Sequence, residues 1–254
     1  MGNFNYHDAV AVAQIIFFVI SLACGILLCT RHGWNKSSGF LILVTFSIIR
    51  IVGASFRLAT ISNPSRSNYV GALICESIGV STLVILNIGM LTRLNRCLPV
   101  RHQIGKKMFS VISLVSIIAV GLSIKGGSDM AKQLGNAAPN SFSKAAVVLF
   151  TLVYVGAVAI FALLLQELQV VPLGEKRLLA CFAACLPFIV VRLIYALLAN
   201  FSHGREFSSI NGNPTIWLCM SVVMEFIVVT IVIGISLTLK KLEKPTKASE
   251  PTYT

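Results

Sequence analysis

Five charged side chains interrupt otherwise apolar stretches of this 254-residue chain: Arg50, Arg57, Glu76, Arg192 and Glu225. Glu225 is the single charge in IWLCMSVVMEFIVVTIVIGISLTL, residues 216–239, and stands nine residues beyond Ile216. On a helix its carboxylate lies about 14 Å below one face of a bilayer. Burying a carboxylate there costs on the order of 2.5–3.5 kcal/mol, so it must face protein or a cavity and have a partner or a task. Two such glutamates can divide acid and base work. A carboxyl left protonated donates a proton, and one held ionised by an arginine removes one. The same residues can instead form interhelical ion pairs that fix the geometry of a bundle. Three arginines against two glutamates leave one positive charge that needs solvent, an anionic ligand or a carbonyl-rich niche.

The elements that must position these groups are membrane helices. Hydrophobic residues make up 56% of the chain and charged residues 12%, which excludes an ordinary soluble domain. Seven stretches, 9–29, 39–60, 70–92, 109–124, 145–165, 178–199 and 216–239, approach the ~20 residues a bilayer requires, the fourth being the shortest. The expected fold is all-α, a polytopic bundle of seven transmembrane helices forming one domain over residues 1–239, followed by a disordered cytoplasmic tail, 240–254. Counting Lys and Arg, the loops after the first, third and fifth spans plus the tail hold thirteen, against five for the N-terminus and the other loops. The positive-inside tendency therefore predicts a lumenal N-terminus and a cytoplasmic C-terminus. It also accounts for the net charge of +12 without nucleic acid.

Direction of travel decides which charges can meet. Spans two and six run outward and spans three and seven inward, which places Arg57, Glu76, Arg192 and Glu225 in the outer half and Arg50 near the middle. One outward-opening polar pocket is expected. Arg50 and Arg57 lie two turns apart on one face with Gly53 between them, and Asn87 follows Glu76 on the same face three turns deeper. Gly79 and Ser81 offer small surfaces for close helix approach. Tyr195 stands one turn beyond Arg192, and Pro187 interrupts the same span. Span four reads as packing, span five as a lipid-facing wall with Tyr154 as its one polar handle, and His7 as a solvated residue at the outer mouth. The segment 125–144 reads as the longest outer loop.

Several chemistries are excluded. No lysine lies within a span, so a retinal Schiff base cannot form. Asp8 and Asp129 are the only aspartates, so the Asp-rich motifs that hold Mg²⁺ against a diphosphate are missing. The spans hold no histidine, which argues against haem and His-based triads, and Cys181 with Cys185 lacks the partners of a metal site. No metal and no cofactor is expected, and what remains to intramembrane carboxylates is proton donation and removal.

RIVGASFRLAT in span two, LICESIGVS in span three and VVMEFIVV in span seven resemble small fungal integral-membrane proteins, among them the membrane-bound terpene cyclases of meroterpenoid pathways, paxilline-type and related. The resemblance implies an enzyme of the endoplasmic reticulum membrane that works without cofactor. Its partners would be the bilayer and a hydrophobic, farnesylated substrate bearing an epoxide, which a carboxylic acid protonates and opens for cyclisation. On that resemblance Glu76 and Glu225 are the acid and base, Arg57 and Arg192 orient them, and Phe188, Tyr195, Trp217 and Phe226 could shield a carbocation. Arg50 and Asn87 complete the expected substrate-binding set. The family pairs one Glu with one Asp, whereas this chain has two Glu, so which acts as acid stays open. Two other readings also stay open: a seven-helix transporter or lipid exporter whose charges bind an anionic substrate, and a receptor-like protein with structural ion pairs.

Overall fold

Apolar runs of 20 or more residues leave the backbone no partner in lipid except itself, and the chain answers with helices. The computed structural model describes residues 6–32, 38–63, 65–99, 102–132, 140–167, 176–202 and 213–239. Seven helices result: α1 (Tyr6–His32), α2 (Ser38–Ser62), α3 (Arg66–Cys97), α4 (Lys106–Lys132), α5 (Ser141–Gln166), α6 (Lys176–Phe201) and α7 (Pro214–Leu237). All seven are long and apolar enough to cross a membrane, the architecture of a multi-pass integral membrane protein. The tail 240–254 lies outside the described residues.

The helix starts follow local chemistry. Ser65 Oγ accepts from the Asn68 backbone N–H, Asn140 Oδ1 accepts from that of Ser143, and Asn213 Oδ1 caps α7 ahead of Pro214. The membrane side on which α1 begins and α7 begins is here the N-side, and the opposite one the C-side. On the C-side, Arg31 and Arg177 donate to the Leu237 and Thr238 carbonyls at the end of α7, at 3.0 and 3.4 Å. There too His102 Nδ1 and Glu167 Oε2 are 2.8 Å apart.

α3 is the central post, touching α2, α4, α5 and α6. The antiparallel register of α2 and α3 is set by glycines. Gly89 backs onto Gly39, Gly53 onto Cys75, and Gly71 onto the Phe56 ring, each too close for an added Cβ to fit without a shift.

Three expectations about elements are corrected. α4 does not end near 124 but runs to Lys132, because Gly126 and Gly127 let it pack against Ser143 and Ile74; 125–132 is therefore helix, not loop. α5 is no lipid-facing wall. Ala146, Phe150, Val153, Ala157, Ile160 and Leu164 form a buried stripe at helical spacing, and Tyr154 is buried with its hydroxyl donating to the Leu186 carbonyl, just before Pro187. α4, expected as packing, is instead the most lipid-exposed helix, where Val111, Leu114, Ile117 and Ile118 are exposed.

Candidate functional site

Arg50 of α2, Glu76 of α3, Arg192 of α6 and Glu225 of α7 close into a ring of alternating charge. Arg50 donates through one terminal nitrogen to Glu76 Oε2 at 2.8 Å and through the other to Glu225 Oε1. Arg192 donates from Nε to Glu225 Oε1 and from a terminal nitrogen to Glu76 Oε1, both at 3.0 Å. The side chains of Arg50, Arg192 and Glu225 are 4%, 3% and 0% exposed, whereas that of Glu76 is 19% exposed. Two cations and two anions balance, so the ring can be buried whole. Buried pairs of this kind contribute little net stability against an apolar alternative, but they punish the loss of any one member.

Register explains why Arg50 and not Arg57 completes the ring. With Gly53 facing Cys75 and Phe56 facing Gly71, Arg50 is within half a turn of Glu76, while Arg57 lies about 7 Å further toward the N-side. Gly79 makes room for the ring, since a Cβ there would fall on the Arg50 guanidinium. The expected pairing of Arg57 with the glutamates is therefore corrected. Its guanidinium instead lies over the Trp217 ring, 5.0 Å from the centroid.

α7 delivers three groups to this place. Trp217 Nε1 and Ser221 Oγ donate to Glu76 Oε1 at 3.3 and 3.1 Å, and Glu225 follows four residues later. Leu218–Val223 is wound as a π-helix, and from its first edge and its interior Trp217 and Ser221 both reach Glu76. Ser221 went unnoticed in the sequence, although the spacing Trp217, Ser221, Glu225 was there to see.

Beside the ring, between α1, α2, α3 and α7, lies a cavity of about 280 Å³ whose wall includes His7, Asp8, Gln14, Arg57, Glu76 and Trp217. His7, expected at the outer mouth, is half-buried on that wall, and its ring packs against Trp217 at 5.5 Å. A second space of about 60 Å³ lies on the other side of Glu76, edged by Ser123, Ser143, Arg192, Tyr195 and Asn200. Glu225 borders neither, and its Oε2 is buried without a hydrogen-bond partner. Tyr195 is buried with the Arg192 guanidinium over its ring at 5.6 Å. Asn87, about 16 Å along α3 from Glu76, donates to the Leu83 carbonyl of its own helix and stays outside the cluster. Phe226 stacks on Phe17 at 4.1 Å and belongs to the packing. Among the described residues no group of three or more His, Cys, Asp or Glu side chains is placed to hold a metal ion.

Residues 4–242 match DUF7702, a domain of unknown function, and the chain belongs to that family. No curated protein and no solved structure matches it.

Proposed function

We propose that this DUF7702 protein binds a small membrane-dissolved molecule in the N-side cavity, as a seven-helix transporter, lipid exporter or receptor-like protein would, with the charged ring as the scaffold that holds the cavity in shape. The observation that carries this reading is how the ring uses its carboxylates. Glu76 accepts from two arginines, Trp217 and Ser221, and Glu225 accepts from the same two arginines and borders neither of the two cavities. Carboxylates engaged in this way serve positioning better than proton transfer to a ligand. A volume of about 280 Å³ falls just below the usual range for small-molecule pockets, ~300–1,000 Å³. It suits the polar end of an amphiphile whose tail stays in lipid.

A second reading keeps the acid-initiated cyclase of an epoxidised, farnesylated substrate. It is favoured by Glu76 standing on the cavity wall next to the Trp217 ring, an acid beside a surface that can shield a carbocation. In that reading Glu76, not Glu225, meets the substrate. The fungal resemblance and a lumen-facing N-side in the endoplasmic reticulum go with it.

One experiment separates the two. Wild type, Ala72→Phe, which fills the cavity from α3, and Glu76→Gln are expressed, and their membranes are incubated with farnesylated phenol epoxides. The purified proteins are also extracted and their retained small molecules compared by mass spectrometry. The binding reading expects a compound retained by wild type and lost from Ala72→Phe, with no epoxide converted. Identical extracts would overturn it. Cyclised product that disappears in both variants at equal protein abundance would establish the cyclase instead.

A further inference from the structure

We infer that the polar end of the ligand is an anion and that Arg57 is its anchor, an inference that rests on the cavity being a ligand site. The ring leaves Arg57 over. Among the described residues its guanidinium makes no hydrogen bond and has no carboxylate within ion-pair distance; it lies over the Trp217 face, and the Glu76 and Asp8 carboxylates act on it only from farther off. Arg57 is half-buried on the cavity wall, not extended into solvent. Asp8 shares that wall but is already engaged in an interaction of its own. Glu76 is taken by the ring.

A guanidinium on the cavity wall without a hydrogen bond matches a headgroup rich in acceptors. A carboxylate, phosphate or sulfonate offers two or three oxygens to a planar guanidinium, and Trp217 behind Arg57 holds that plane in place. Cationic headgroups would meet Arg57 as a like charge, and a neutral sugar would leave it without an ion pair.

The test uses the full chain in lipid nanodiscs and probes sharing one dodecyl tail: dodecyl phosphate, dodecyl sulfonate, dodecyl maltoside and dodecyltrimethylammonium, with inorganic phosphate as the arm without a tail. Affinity is read by thermophoresis on wild type, Arg57→Gln, Arg57→Lys and Ala72→Phe. The anionic probes are expected to bind at least about tenfold more tightly than the other two, to lose about tenfold in Arg57→Gln, to recover part of it in Arg57→Lys, and to lose binding in Ala72→Phe. Inorganic phosphate competing as well as dodecyl phosphate would support the anion and name a free ion, not an amphiphile, as occupant. Neutral or cationic probes that bind as tightly, blocked by Ala72→Phe but indifferent to Arg57, would overturn the anion while leaving the cavity reading intact. Binding of every probe unaffected by Ala72→Phe would overturn both.

Discussion

The α2–α3 pair is built in two different ways along its length. On the C-side the helices meet through Gly39 and Gly89, and around them Phe40, Leu43, Phe46, Leu83, Leu86, Met90 and Leu91 are sealed from solvent and lipid. On the N-side, past Arg50 and Gly79, the helices still touch through Gly53 and Cys75 and through Phe56 and Gly71, yet no residue from 67 to 78 of α3 is buried. Here the cavity opens. Glycines serve both ends, so close helix approach alone does not make a site. What differs is the third body. Lipid tails are as apolar as leucine, so on the C-side the pair is held mainly by packing, with the Arg93 guanidinium over the Phe40 ring, whereas the N-side is clamped by four charges that must all be present.

Substitutions along this axis can break or sharpen that contrast, each measured by unfolding in detergent with the fold checked by circular dichroism. The largest loss is expected for Glu225→Gln, which leaves two buried arginines facing one carboxylate and should cost on the order of 3–5 kcal/mol. A loss under about 1 kcal/mol would mean that the ring is not a clamp. Gly79→Ala comes next, at about 2–3 kcal/mol, because the new methyl displaces the Arg50 guanidinium from its seat. On the C-side, Leu86→Ala is expected to cost only about 1–2 kcal/mol. Its transfer into lipid is neutral, and only the lost packing counts. Were Leu86→Ala to prove more costly than Glu225→Gln, the ranking of the two halves would be reversed.

The seven helices were legible because hydrophobicity and length suffice for a bilayer. Their ends and faces were less so. Lys125, Gly126, Gly127 and Ser128 look like a loop, and only the fit of the two glycines against Ser143 and Ile74 carries α4 through them. In α5, Ala, Val, Phe and Leu look alike whether they meet lipid or protein, since both are apolar, so its buried stripe could not be told from a lipid-facing one.

The candidate site divides in the same manner. That Arg50, Arg57, Glu76, Arg192 and Glu225 had to face protein follows from charge in a membrane, a matter of residue type and position along the chain. Depth alone favoured Arg57 as partner of the glutamates, because a span's position in the bilayer is known from sequence only to within a turn or so. Which arginine pairs, which one is left over the Trp217 ring, and that Ser221 of the π-helical turn reaches Glu76 depend on the α2–α3 register and on how four helices converge. Sequence by itself determined the helices and the need to bury charge; tertiary structure decided the pairing, since an ion pair is sensitive to a displacement of a few ångström that hydropathy does not record.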